Sequence, residues 1–289
     1  MTNASTLRAL LAETSKPVVV PGGGTPLEAL ATKAAGFDAF YLSGYSIAAW
    51  RHGLPDIGLL GAHEAVEALR AIVRVTDIPL IVDADTGYGD ETSVYANVRL
   101  LESAGAAAIQ LEDQVWPKKC GHMIGKEVIE ADEAVRKIAS AVDARRDPDT
   151  IIIARTDSLA PRGLDEALER CRRFKDAGAD VLFIDAPGSI EELSRIGTTL
   201  PGPLMANMSE GGKTPLLSAS EFHELGFQLV IYPTTTLRIA SLQMANFLRD
   251  LRGSGDSKPW RERMDGLDEL NDLVGLDDYL SIGDRAAAR

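Results

Sequence analysis

The chain has 289 residues, of which 45% are hydrophobic and 25% charged, and its 30 Lys and Arg against 43 Asp and Glu give a formal net charge of −13. The hydrophobic content excludes a disordered chain, and the length fits one α/β barrel. The negative balance argues against nucleic-acid and anionic-membrane partners.

The N-terminal stretch "MTNASTLRALLAETSKPVVV" has neither the charged start nor the continuous apolar segment of a signal peptide, and reads as a short amphipathic helix. No run approaches the roughly 18 apolar residues of a membrane span. Cys120 and Cys171 could form one disulfide, but two cysteines make no disulfide framework, and the expectation is a cytoplasmic protein with both thiols reduced.

Apolar runs predict eight strands, near Val18–Val20, Phe40–Ser43, Leu80–Ala84, Ala108–Leu111, Ile151–Ala154, Val181–Ile184, Leu204–Ala206 and Leu229–Ile231. They lack strict alternation, as expected where both faces are buried. Amphipathic segments such as "GAHEAVEALRAIVRV" and "GLDEALERCRRFKDA" separate them, and Gly36, Gly105, Gly178 and Gly226 stand where a helix ends before a strand begins. Alternation on this scale predicts a (β/α)8 TIM barrel, with residues 1–289 as one domain. A Gly/Ser-containing link then leads into "GLDELNDLVGLDDYL", so residues from about 253 to 289 form a helical arm. That arm would either contact another subunit or pack on its own barrel.

In such a barrel the chemistry collects at the C-terminal ends of the strands. The residues there include Tyr41, Ser43, Asp83, Asp85, Glu112, Asp113, Arg155, Asp157, Asp185, Asn207, Ser209, Tyr232 and Thr234. A single carboxylate in that position reads as a helix cap or a salt bridge. Several converging carboxylates are costly without a cation. In "VDADTGYG", Asp83 and Asp85 share one face, and Gly87 and Gly89 let the backbone turn over the barrel mouth. With Glu112 they make an oxygen-only donor set suited to Mg²⁺ or Mn²⁺ rather than Zn²⁺. Lys118, His122 and Arg155 are expected to oppose it as a positive cluster. Arg155 could clamp a carboxylate or pair with Asp157. Cys120, beside Lys118, Lys119 and His122, could be a proton donor, a nucleophile or an inert small side chain, whereas Cys171 in "LERCRRF" reads as structural.

"YLSG", "GLPDIG", "VDADTGYG", "LEDQVWPKKCGH", "ARTDSL", "NMSEGGKTPL" and "YPTTTLR" together resemble the isocitrate lyase/phosphoenolpyruvate mutase superfamily, over nearly the whole chain from Val18 onward. The KKCGH block resembles its carbon–carbon lyase branch, which includes 2-methylisocitrate lyases, 2,3-dimethylmalate lyases and oxaloacetate hydrolases. The resemblance implies Asp85 as direct Mg²⁺ ligand, with Asp83, Asp56 and Glu112 holding metal-bound waters. It implies substrate contacts from Tyr41, Ser43 and Gly44, a carboxylate clamp in Arg155, contacts to a second carboxylate from Asn207 and Ser209, and Cys120 as proton donor on a mobile loop, flanked by Lys118 and His122. It also implies a homotetramer, a dimer of dimers, in which the last helices are exchanged between subunits.

Three departures stand out. Asp185 in "FIDAP" replaces a usual glutamate, "CGHMIGK" differs from the methylisocitrate lyase loop, and Tyr45 in "LSGYS" adds bulk that favours a small substrate. The expected reaction is Mg²⁺-dependent retro-aldol cleavage of a small substituted 2-hydroxy dicarboxylate to a 2-oxo acid and a carboxylic acid. The alternatives are hydrolysis of oxaloacetate to oxalate and acetate, phosphonate-type chemistry, and a non-catalytic binding barrel.

Overall fold

The computed structural model describes residues 2–121 and 125–287. Short apolar runs buried on both faces form eight parallel strands: β1 Val18–Gly23, β2 Phe40–Leu42, β3 Leu80–Asp83, β4 Ala108–Glu112, β5 Ile151–Thr156, β6 Val181–Ile184, β7 Met205–Asn207 and β8 Leu229–Tyr232. They are ordered β6-β5-β4-β3-β2-β1-β8-β7, and a parallel bridge between Leu182 and Leu204 joins the two ends into a (β/α)8 barrel. The predicted strands agree within about two residues, except that β1 continues through Gly23. Glycine permits this extension, because a Cβ on Gly22 would come within 2.7 Å of Pro233 Cα.

The two-residue period of the strands sorts side chains into two cores. Outward-facing Leu42, Val82, Ile109, Ile152, Leu182 and Val230 pack beneath the helices. Inward-facing Val20, Tyr41, Ile81, Ile153, Phe183, Met205 and Ile231 fill the barrel together with Ala4, Leu7 and Leu11 of the N-terminal helix Asn3–Ala12. That helix therefore closes the N-terminal mouth. Arg8 anchors it there, bonding the Asp149 carbonyl at 2.8 Å and the Asp180 carboxylate at 2.9 Å.

A buried ion pair ties two adjacent strand ends to the outer helix Leu164–Asp176. Arg170 donates to Asp113 Oδ2 at 3.1 Å and to the Ile129 carbonyl at 2.8 Å, while Asp113 accepts from Thr156 Oγ1 at 2.6 Å and from the Asp157 amide at 2.8 Å. Removing one member of such a pair strands the other charge. Arg170→Met is expected to lower the unfolding free energy by about 3–5 kcal/mol in chemical denaturation; a loss under about 1 kcal/mol would show that Asp113 finds other partners.

The helix Thr235–Ser254 lies against β1 but buries only Leu237, leaving Ile239, Leu242 and Leu248 about 60% exposed. Beyond it come a 3₁₀ turn, Lys258–Arg263, and three short helices, Leu267–Leu273, Leu276–Leu280 and Ile282–Ala287. Trp260 of the turn packs edge-on against Phe247 at 5.7 Å, and helix Leu267–Leu273 touches helix Pro26–Ala34. The arm thus meets its own barrel while carrying exposed Leu267, Tyr279, Leu280 and Ile282. None of the described helices is long and apolar enough to cross a membrane.

Candidate active site

At the C-terminal mouth the inward positions change from apolar to charged. Tyr41, Asp83, Gln110, Glu112, Arg155, Asp185 and Asn207 continue the inward register of the filled barrel. The Tyr41 hydroxyl donates to Gln110 Oε1 at 3.0 Å, and Gln110 Nε2 donates to Asp83 Oδ1 at 3.3 Å, which fixes the floor. Burial, with Asp83 beside it, holds the Tyr41 phenol well above its ordinary pKa, so it stays neutral.

One wall is acidic. Asp85 adopts a left-handed backbone with φ 47°, a conformation aspartate tolerates better than most residues, and Gly87 at φ 81° completes the turn. The Gly44 amide donates to Asp83 Oδ2 at 3.3 Å. Lys118 Nζ stands between Asp56 Oδ1 at 2.6 Å and Asp85 Oδ1 at 2.7 Å, with its side chain 4% exposed. Burial works against charge on this ammonium, but Asp85, Glu112, Asp56 and Asp83 outweigh it and raise its pKa. Burial pushes the Asp85 carboxyl up to about 7 despite Lys118, with Asp83 and Asp56 reinforcing the rise. Burial likewise raises Glu112 far above its usual value, opposed by Arg155. Glu112 Oε1 is buried and accepts no hydrogen bond among the described residues.

This wall suits a hard divalent cation by its chemistry: all-oxygen donors, carboxyls whose charge is under-compensated, and one cation already bridging two of them. Among the described residues no three acidic, His or Cys side chains close around a single point, since Lys118 takes the bridging position. That placement corrects the expected layout. Lys118 belongs to the acidic wall and does not stand with Arg155 opposite it.

The opposite wall is built on Arg155. Its Nε and Nη2 bond Asp157 Oδ2 and Oδ1 at 2.8 and 3.0 Å, its Nη2 lies 3.2 Å from Asp185 Oδ2, and its Nε lies 3.3 Å from Glu112 Oε2. Arg155 pairs with Asp157, as one of its two readings expects, and it also lines the cavity. Burial opposes the negative charge of Asp157, but Arg155 and Lys126 prevail and hold its carboxyl below the usual range. Asp185, although shorter than glutamate, still reaches Arg155. Ala186 beside it takes φ 58°, a strained turn at the strand end.

The stretch following β4, residues 113–121, reaches the mouth. Its base is pinned where Gln114 Nε2 donates to the Lys119 carbonyl at 2.8 Å, Gln114 Oε1 accepts from the Lys119 amide at 3.0 Å, and Gln114 bridges to Val128. Cys120 and Gly121 then line a cavity of about 50 Å³ together with Tyr41, Ser43, Tyr45, Asp56, Asp83, Lys118, Arg155, Asp185, Asn207 and Ser209. Gly44 and Asp85 border the adjoining recess. Gly121 lies so close to Asp185 Oδ2 and Arg155 Nη2 that a Cβ there would overlap both. Gly121→Ala is therefore expected to weaken anion binding at least tenfold with an unchanged Tm; wild-type affinity would show that Gly121 does not lie against Asp185 in the working protein.

The cavity thus brings together Tyr41, Ser43, Tyr45, Asp56, Asp83, Lys118, Cys120, Arg155, Asp185, Asn207, Ser209 and Thr234, with Glu112 against Arg155 and with Gly44 and Asp85 in the adjoining recess, whereas Asp113 turns away to Arg170 and His122 lies outside the described residues. Cys120 and Cys171 form no disulfide, and Cys171 is buried on its helix, where burial raises its pKa. Two contributors were missed. Gln110 had a readable signal, a polar residue at the same parity as Glu112 within an apolar strand. Lys126 had none, because a lysine in a polar loop reads as solvated.

A model of the family described as phosphoenolpyruvate phosphomutase matches residues 7–252. The chain belongs to the phosphoenolpyruvate mutase/isocitrate lyase superfamily. Within this superfamily it is 46% identical over 277 residues to 2,3-dimethylmalate lyase of Eubacterium barkeri, covering 96% of each chain. It is also 46% identical over 261 residues to a probable 2-methylisocitrate lyase of Corynebacterium glutamicum, covering 90% of this chain and 85% of that one. A structure of oxaloacetate acetylhydrolase in complex with the inhibitor 3,3-difluorooxalacetate superposes with a TM-score of 0.95 at 33% identity, covering 99% of this chain and 97% of the other. The superfamily and barrel expected from the motifs are both borne out.

Proposed function

We propose that this protein is a magnesium-dependent carbon–carbon lyase that cleaves a small substituted 2-hydroxy dicarboxylate to a 2-oxo acid and a carboxylic acid. The observation that carries the reading is the placement of Cys120 in one small cavity between a buried acidic wall and the guanidinium of Arg155. The names of the two 46%-identical relatives support it.

Asp85, Asp83, Asp56 and Glu112 would hold the ion. Bound there, it would supply positive charge to the substrate's hydroxyl and carboxylate oxygens and ease loss of the hydroxyl proton. The chain's own groups do the rest. Arg155 binds one carboxylate, and Ser43 with the Gly44 amide orients the hydroxyl end. The neutral Tyr41 phenol shapes the floor. The hydroxyl proton passes to water, the C2–O bond becomes the carbonyl of the 2-oxo acid, and the electron pair of the breaking C2–C3 bond moves to C3 and the carboxylate attached to it. Asn207 and Ser209 donate hydrogen bonds to that carboxylate as its charge grows, and Cys120 Sγ delivers its proton to C3. Tyr45 and the small cavity favour a short substrate over a tricarboxylate.

The test is a panel of 2-hydroxy and 2-oxo dicarboxylates with Mg²⁺, read by a dehydrogenase that consumes 2-oxo acid. Release of 2-oxo acid from a substituted malate is expected, and no turnover across the panel would end the lyase reading. The likeness to oxaloacetate acetylhydrolase supports a second reading, hydrolysis of oxaloacetate, which would announce itself as oxalate and acetate. The same superfamily reading extends to assembly: a homotetramer that exchanges the C-terminal helices would cover the exposed apolar side chains of helix Thr235–Ser254. Sedimentation as a monomer would remove it.

A further inference from the structure

Lys126 stands beside residues 113–121, where the Lys119 ammonium bonds the Gly125 carbonyl at 2.8 Å and the Val115 amide bonds the Glu127 carbonyl at 2.9 Å. Its side chain is 1% exposed, which is unusual for lysine. Nζ lies 2.7 Å from Asp157 Oδ1 and 3.4 Å from Asp185 Oδ2. Those are the same two oxygens that Arg155 Nη2 approaches at 3.0 and 3.2 Å. Two cations and two carboxylates therefore form a closed diamond. The Arg155 guanidinium also lies over the Phe183 ring, 5.3 Å from its centroid, so the aromatic face limits its tilt and the carboxylates set its direction within the plane.

We propose that Lys126 is a positioning residue for the anion site: by sharing Asp157 Oδ1 and Asp185 Oδ2 with Arg155, it holds the guanidinium edge toward the cavity and offsets the negative charge behind it. The proposal rests on the lyase reading only in taking the cavity as an anion site. With Lys126 present, Asp157 and Asp185 face two cations. Without it they face Arg155 alone, which they would draw inward, and an entering dicarboxylate would meet a more negative wall. Lys126 forms no ion pair with Asp56, Asp83, Asp85 or Glu112 among the described residues, so its loss should act on the anion and not on the cation.

The experiment titrates oxalate into protein saturated with Mg²⁺ by calorimetry, for wild type, Lys126→Met, Lys126→Gln and Lys126→Arg, with Mg²⁺ alone as a parallel titration. Lys126→Met and Lys126→Gln are expected to raise the oxalate Kd at least tenfold at unchanged stoichiometry, with Mg²⁺ affinity within about threefold of wild type. On whichever substrate the panel identifies, KM should rise while kcat changes less, and Lys126→Arg should recover most of the affinity. A merely structural role would lower stoichiometry and Tm together while the remaining sites keep the wild-type Kd; that result, or a wild-type Kd in both neutral variants, overturns the proposal. If Lys126→Met does not fold, Lys126→Gln, which keeps a donor without the charge, decides the matter. Failure of the wild-type protein to bind oxalate would sink the reading of the cavity itself and is distinguishable from all of these.

Discussion

Cys120→Ser is expected to keep Mg²⁺ and oxalate affinities within about threefold of wild type and to lower kcat by about two to four orders of magnitude, the usual range for removing a positioned general acid. A serine hydroxyl is nearly isosteric with the thiol but holds its proton far more tightly, so the variant changes the proton donor and little else. The thiol lines the cavity together with Asn207 and Ser209, the groups proposed to bind the fragment that must be protonated. Wash-in of deuterium at the α-carbon of the carboxylic product, which was C3 of the substrate, measured under single turnover, separates the proposed role from a packing effect. Near-normal turnover would remove the thiol from the mechanism.

Asp85→Asn should cost still more, eliminating Mg²⁺-dependent turnover to the limit of a coupled assay. Asparagine is chosen because position 85 sits at φ 47°, where alanine would add backbone strain of its own. The substitution preserves the turn and removes one negative charge from the acidic wall. Lys118 would keep Asp56, 2.6 Å away, as its partner, so the wall is expected to stay folded. Calorimetry should show Mg²⁺ affinity reduced at least about a hundredfold. Retention of a normal magnesium requirement would refute the assignment of Asp85 as the principal ligand.

Much of this was legible in the chain because a parallel barrel writes itself simply. Strands buried on both faces must be short and apolar, and the residues just past them must lie at one mouth, so the sequence alone groups Asp83, Glu112, Arg155, Asp185 and Asn207. What escaped was lateral order around that mouth. Sequence shows that Lys118 and Arg155 are both cations near strand ends; it does not show that one bridges Asp56 and Asp85 while the other faces Asp157 and Asp185. The adjacent acids Glu112 and Asp113 looked like a pair, but strand pleating sends one into the barrel and the other out to Arg170. Lys126 was invisible for the same reason: its meaning lies in two carboxylates that stand 31 and 59 residues further along the chain.

The N-terminal plug and the apolar tiers above it fill the barrel at the end opposite the charged cavity. Selection can then rewrite the upper tier one side chain at a time while the lower tiers keep the vessel intact. A scaffold partitioned in this way can diverge in chemistry faster than in shape. Near-identical barrels whose names denote a lyase and a hydrolase are the signature such a history would leave.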